Sequence, residues 1–331
     1  MSNEVSKPVS LIIPSSRRPL HLADLLDSID NIGVLDREDY EIIVVDSNPL
    51  DDETRCVCKE YNVVYLRERV PGKSRAVNRG IQNASGEYIA LTDDDVVVKD
   101  PNWLDKMLNH FSCNEKLGYV AGNVLALSVD LEAQAIWERK GGLSKGARLR
   151  HYNQDYFHGF HVSPWPINKI AVGANCMIPR RVFDENGGLC TQMGPGAPIP
   201  HGESLEIVYR IIRADYELLY DPSIQVFHKH PQTPKDLRRK LYIYGIGNSA
   251  YQIYIFFQYA DIRSLYWGVI GHNLYVLRNL IRGLRGRYSL PLSYTMCSLL
   301  GSIVGIPVFF SASLKHCLQA KAEDAESEER N

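Results

Sequence analysis

Between residues 8 and 95 short β-branched runs alternate with stretches of helical periodicity. "PVSLIIP" (8–14) is an apolar run closed by proline, the pattern of a buried strand. "LHLADLLDSIDNI" (20–32) spaces its apolar residues as a helix does, and "YEIIVVDS" (40–47) is a second buried strand that ends in a carboxylate. A helix over 52–61, a strand over 62–68, a helix over 74–84 and a strand over 86–95 follow. Strands separated by helix-length segments predict βαβ units, hence an α/β fold whose central sheet is mostly parallel with helices on both faces. Ligands of such sheets sit beyond the carboxyl ends of the strands, where Asp46 and the triplet Asp93, Asp94, Asp95 both fall.

The pattern loosens after residue 118. "LGYVAGNVLAL" (117–127) predicts a strand, residues 150–166 an irregular aromatic stretch, and 169–189 a strand and a short helix. Residues 194–203 are loop, 204–216 an amphipathic helix, and 216–230 strand and loop. Residues 235–285 are helical, aromatic-rich and studded with Arg and Lys, and from Tyr288 to Leu314 no residue is charged. The expected organisation is an α/β domain over 1–232, in halves 1–118 and 119–232, a helical extension over 233–320, and a charged, disordered tail over 321–331.

Composition narrows the function. A net charge of -2 gives no basic excess, so nucleic acid is not an expected partner. The seven cysteines show no zinc spacing; they read as free thiols of a reducing compartment. The apolar stretch at the N-terminus is too short for a signal peptide, which places the α/β part in the cytoplasm.

Candidate chemistry gathers at few places. Three adjacent carboxylates between apolar runs repel one another and call for a counter-charge; a D-x-D pair suits a divalent cation, and a solvated acidic turn is the other reading. Asp46 either caps the next helix or accepts hydrogen bonds from a base or ribose. In "PGKSRAVNRGI" (71–81), Lys73 and Arg75 stand at a helix start, where phosphate charge is favoured, or form its solvated basic face. In "HGESLEIVYRI" (201–211), Glu203 and Glu206 lie one turn apart at a helix N-terminus, as a general base or as ordinary first-turn acids. His228 and His230 follow in "VFHKH", either structural or, for one of them, completing a metal site begun by Asp95.

Taken in order, these segments resemble a family 2 glycosyltransferase of the GT-A fold over roughly residues 8 to 232. "LIIPSSRRP" resembles the opening strand and turn, with Pro14 on the nucleotide side; "IIVVDS" resembles the strand whose final Asp, here Asp46, binds the nucleobase. "GKSRAVNRG" is similar to the next conserved segment, and "GEYIALTDDDVVVKDPNWL" to the strand bearing the D-x-D motif. "VGANCMIPRRVFDENGGL" and "GPGAPIPHGESLEIVYRIIRADYELLYDPSIQVFHKH" resemble the acceptor side, with Asn175, Gly202 and Glu206, and the later histidine. The resemblance implies an inverting transfer of sugar from a UDP-, dTDP- or GDP-linked donor to a glycan or lipid-linked acceptor. It also implies Mg²⁺ or Mn²⁺ on Asp93, Asp95 and His228, with Asp94, Lys73 and Arg75 on the nucleotide-sugar. Where the family has Glu-Asp with Asp as base, this chain has Glu203-Ser204. A serine is no base at neutral pH without activation, so either Glu203 takes the role, which is the expectation, or a shift of the helix gives it to Glu206, or catalysis is impaired. "SNPL" (47–50) also replaces a Ser/Thr-rich turn.

The run 288–314 exceeds the roughly 20 residues that span a bilayer. Pro291 and Pro307 interrupt it, and Arg278, Arg282, Arg285 and Arg287 precede it; these features favour a helix in the interface of the inner face of the cytoplasmic membrane over a true span or a buried core helix, the two other readings. Such attachment fits cell-envelope or exopolysaccharide synthesis. Two other classes stay open: a nucleotidyltransferase, which calls for a glycine-rich triphosphate loop that "IIPSSRRP" lacks, and a catalytically silent relative that binds nucleotide-sugar or glycan.

Overall fold

In the computed structural model, which describes residues 8–48, 50, 52–161, 167–170, 172–285 and 290–329 (side chains to 314, Asn168 excepted), the first half of the chain builds the expected βαβ layers. The order is β1 (Val9–Ser15), α1 (Pro19–Asp30), β2 (Tyr40–Asp46), α2 (Glu53–Glu60), β3 (Val64–Arg67), α3 (Lys73–Asn83) and β4 (Tyr88–Thr92). β3, β2, β1 and β4 lie side by side and parallel. β1 is buried along its whole length, as a strand covered by helices on both faces must be. Pro19 opens α1, where its missing N–H costs nothing and its φ is already helical.

The second half is mixed. It runs β5 (Val96–Val98), α4 (Trp103–Cys113), β6 (Leu117–Ala126), α5 (Glu132–Arg139), β7 (Arg150–Tyr152), α6 (Gln154–His158), β8 (Asn175–Pro179), α7 (Arg180–Asn186), α8 (Glu203–Arg213) and β9 (Glu217–His228). The sheet order is β3-β2-β1-β4-β8-β6-β9-β5, with β7 beside β9. β8 is antiparallel to both β4 and β6, and β5 and β7 are antiparallel to β9, whereas β6 and β9 run parallel. The parallel arrangement that the first strands predict therefore stops at β4. Residues 150–152 and 154–158, expected to be irregular, form β7 and α6.

β4 ends at Thr92, so the acidic triplet is the turn between β4 and β5 rather than the end of a strand. A turn lets carboxylates diverge and meet separate partners, which one strand face would not. Gly122 is obligatory: a Cβ there would collide with Asn175 Nδ2 and the Ile224 carbonyl, where β6, β8 and β9 meet.

The chain divides into two compact units, one of residues 1–160, 165–190 and 204–233, the other of 161–164, 191–203 and 234–331. The loop 191–203, grouped by sequence with the α/β domain, thus belongs with the helices. These are α9 (Pro234–Tyr259), α10 (Ile262–Tyr266), a π-helical turn (Trp267–Gly271), α11 (His272–Leu284) and α12 (Leu292–Glu329). α12 continues past Pro307, and its backbone is helical into the charged segment that starts at 321.

α9 and α12 pack through small residues. A Cβ on Gly245 would meet the Ser298 carbonyl, one on Gly301 the Tyr242 carbonyl, and one on Gly305 the Ile246 carbonyl. Ser249 and Ser302 hydroxyls hydrogen-bond at 2.7 Å in the same seam. Backbones come this close only where side chains are absent, as in Gly-x-x-x-Gly crossings.

Candidate active site

Asp46 closes β2 with its side chain fully buried. Its Oδ1 accepts from the Asn48 N–H at 2.8 Å, a local Asx turn, and its Oδ2 from the Tyr65 hydroxyl at 3.1 Å. Arg67 Nε donates to that same hydroxyl at 2.9 Å. A buried carboxylate keeps its charge only when hydrogen-bonded, and these contacts fix where its oxygens point.

The Asp triplet splits three ways. Asp93 pairs with the Lys73 ammonium at the start of α3. Asp94, buried, accepts from Ser15 Oγ at 2.8 Å and from Arg18 at 3.5 Å. Burial, and next the neighbouring Asp95 charge, push its carboxyl up to about 6, with Arg18 and Ser15 opposing. Asp95 meets Arg18 through Oδ2 at 3.0 Å and His228 Nε2 through Oδ1 at 3.2 Å. The Arg18 guanidinium sits among three acids, and their charge outweighs its own burial and raises its pKa.

His228 reaches this turn because β5 and β9 pair with Val96 opposite His228, and Lys229 N–H donates to the Asp95 carbonyl at 3.0 Å. One ligand atom each of Asp93, Asp95 and His228 lie within 4.8 Å of one another. Two carboxylates and an imidazole suit Mg²⁺ or Mn²⁺, the histidine favouring the transition metal.

Ser15 and Arg18 are the site residues that the sequence reading did not single out. "SSRRP" directly after β1 was the available signal. Arg17 takes a left-handed φ of 55° in that turn, and the backbone bend delivers Arg18 to the acids.

Pro14, Lys73, Thr92, Gly173, Cys176 and Ser204 line a small cavity under the same turn. Ser204 is the second residue of α8, and a Cβ on Gly173 would collide with its hydroxyl. Arg75 is exposed on the first turn of α3. Asn175 is buried and clamps strands: its Nδ2 donates to the Asn123 and Ile224 carbonyls at 3.1 Å each. Glu206 is buried in a two-point pair with Arg210, at 3.0 and 2.6 Å. Arg210 also ties the carbonyls of Asn186, Gly187 and Gly188. Glu206 is thus engaged, through Arg210, in holding α8 to the end of α7.

In the second unit Gly202 has φ of 119°, a conformation that favours glycine, and its N–H meets Glu203 Oε2 at 3.1 Å. Glu203 is buried, and His201 stacks on Tyr244 with ring centroids 4.2 Å apart. Arg278, Arg282 and Arg285 are exposed on α11 and beyond its end; Arg287 lies outside the described residues.

Residues 10–187 match the family model of Glycosyl transferase family 2. The O-antigen biosynthesis protein RfbC of Myxococcus xanthus is 26% identical over 185 residues, which are 54% of this chain and 14% of that protein. The minor teichoic acid biosynthesis protein GgaB of Bacillus subtilis is 32% identical over 108 residues, 31% of this chain and 12% of that protein. The chain therefore spans only about an eighth of the length of these curated relatives. Among solved structures, the mannosyltransferase PcManGT from Pyrobaculum calidifontis, in complex with GDP-Man and Mn²⁺, superposes with a TM-score of 0.50 at 15% identity, over 97% of this chain and 79% of that one. That likeness shows the GT-A fold.

Proposed function

Because the chain belongs to glycosyl transferase family 2, we propose that it moves a sugar, with inversion, from a nucleotide-diphospho-sugar to an acceptor hydroxyl in cell-envelope or exopolysaccharide synthesis. The observation that carries this reading is the meeting of Asp93, Asp95 and His228 at one turn, beyond the same sheet edge on which Asp46 closes β2.

The chain's own residues divide the work. Asp46, held by Asn48 and Tyr65, accepts hydrogen bonds from the base. Lys73 and Arg75, at the start of α3, meet the diphosphate together with that helix's N–H groups. Asp93, Asp95 and His228 would hold Mg²⁺ or Mn²⁺, which supplies Lewis-acid neutralisation of the leaving diphosphate. Glu203 takes the proton from the attacking hydroxyl as it reaches the anomeric carbon opposite the leaving group. Its assignment is supported by its burial at the start of α8, directly before Ser204. Envelope synthesis is supported by the O-antigen and teichoic acid relatives.

The donor work takes place in the cytoplasm, with the helical unit at the inner face of the membrane. α12 is long and apolar enough over Leu292–Leu314 to cross a bilayer, with a mean hydropathy of 1.8. One face carries the glycine seam; the other exposes Leu292, Met296, Leu300, Ile303, Phe310 and Leu314 at helical spacing. A solvent-facing stripe of large apolar residues, beside exposed Arg278, Arg282 and Arg285, fits lipid contact better than water.

The deciding experiment incubates the full chain with UDP-, dTDP- and GDP-sugars and Mn²⁺ and measures nucleoside diphosphate release. Release from one donor class, cut by about 10² or more in Glu203→Gln while nucleotide binding persists, supports the reading. Pyrophosphate-dependent formation of nucleoside triphosphate and sugar 1-phosphate would make the protein a nucleotidyltransferase. No release with nucleotide-sugar bound would make it a silent relative, and full activity in Glu203→Gln would remove Glu203 as the base.

A further inference from the structure

The chain is nearly neutral, yet residues 139–154, "RKGGLSKGARLRHYNQ", hold five Arg or Lys and no acid. The fold gathers this island rather than dispersing it. After α5 the chain turns through Gly141 and Gly142, both at positive φ. Any side chain at Gly142 would collide with Glu138. It then returns as β7 against β9, Arg150 opposite Tyr220. The result is an open cleft of about 780 Å³ in the α/β unit, lined by Lys145, Arg150, His151, Lys169, Tyr152 and Tyr156 among others.

Among the described residues no acid lines this cleft. Two acids beside it are already paired: Glu217 meets the lining residue His151 at 2.8 Å and Asn114 at 2.8 Å, and Glu138 meets His230 at 2.7 Å. Arg150 donates to the Lys169 carbonyl at 3.5 Å, which draws the two cationic chains to one wall. An aromatic strip runs alongside: Tyr152 and Tyr156 rings are 4.7 Å apart, and Tyr156 and Phe160 5.3 Å. Fixed cations select phosphate or carboxylate, and the exposed Tyr156 ring, with Tyr152 buried beside it, offers a face to the C–H groups of a sugar.

We propose that this cleft binds a phosphate-bearing glycan, the anionic acceptor of the transfer proposed above and on which reading this assignment of role rests. Burial pushes the Lys145 ammonium down to about 8, so an anion beside it recovers solvation that the cleft withholds. Contact with the donor end runs through α5. Its Glu138 is hydrogen-bonded to His230, whose ring centroid is 5.6 Å from that of His228. The His230 side chain is 0% exposed, so this chain of contacts links the cleft wall to the carboxylate turn through the interior of the unit.

The test is calorimetric titration of the full chain with a glycerol phosphate hexamer, with neutral maltohexaose and with phosphatidylglycerol vesicles, at low and moderate salt. The hexamer binds, weakens as salt screens exposed charge, and loses at least tenfold in Lys145→Gln/Arg150→Gln. Lys140→Gln/Lys145→Gln, which leaves the Arg150 contact to Lys169 intact, shows the same trend if the first variant misfolds. UDP with Mn²⁺ binds all variants alike. Equal binding of the hexamer by parent and variants, or equally tight maltohexaose, overturns the proposal. Cleft-dependent binding of vesicles without the hexamer overturns it in favour of lipid headgroups. Cleft-dependent hexamer binding by a protein that turns over no nucleotide-sugar leaves the anionic site standing and sinks only the transfer reading.

Discussion

His228 Nε2 stands 3.2 Å from Asp95 Oδ1, brought there by the antiparallel pairing of β9 with β5. An imidazole this close to two carboxylates serves either as a cation at low pH or as a neutral metal ligand. The second role predicts that Mn²⁺, followed by the electron paramagnetic resonance of the free ion in the presence of UDP, binds at least tenfold more weakly to His228→Ala. Asp95→Ala loses it altogether. Titrations that overlay the parent in both variants remove the metal from this turn.

Arg18 supplies positive charge to Asp94 and Asp95 at 3.5 and 3.0 Å, with about half of its own side chain exposed. A half-exposed ion pair is worth about 1 kcal/mol or less. Without it the acids lean more on a cation. Arg18→Gln should therefore melt lower in EDTA and gain about 2 °C more than the parent on adding Mn²⁺. An equal or smaller Mn²⁺ gain would mean that Arg18 does not compensate the acids that a metal would meet.

These two contacts also mark where the sequence stops being legible. β1 to β4 can be read because each is a β-branched run bounded by helix-length segments, and Asp46 because it ends such a run. β5 is three valines and β7 three residues, too short for any periodicity, so these two escaped while β6, β8 and β9 were each expected as strands. The triplet was legible as a motif but not as a turn, because where β4 ends depends on which partners the acids find. Arg18 and Ser15 were opaque for a related reason: an arginine after a strand shows its charge, not what it faces. Glu206 and Arg210 stand four apart in plain view, and a helix puts them on one face. That the pair is buried is a tertiary fact.

Glu206 and Arg210 yield a prediction on stability. Their side chains are 2% and 16% exposed, and removing one member of a buried pair leaves a charge unpaired, at a cost of about 3–5 kcal/mol. Glu206→Ala and Arg210→Ala should each lower the denaturant midpoint strongly, and the double variant should fall short of their sum. Were Glu206→Ala instead to keep its stability and raise the acceptor KM, this acid would belong to the acceptor side.

The two faces of α12 predict opposite phenotypes. Leu300 and Ile303 are 53% and 51% exposed, so replacing both by serine removes mainly outward-facing apolar surface and only part of each side chain's packing within the unit. If this face contacts lipid, each residue buries apolar surface there worth about 1.5 kcal/mol or more. Together that is about a hundredfold in partitioning. Flotation with phosphatidylglycerol vesicles should then drop by about that factor while the melting temperature holds. Gly301→Leu acts on the other face, where even a Cβ meets the Tyr242 carbonyl. It should lower the melting temperature and leave the lipid-facing stripe chemically intact. A Leu300→Ser/Ile303→Ser protein that floats like the parent would mean that the exposed stripe has some occupant other than lipid.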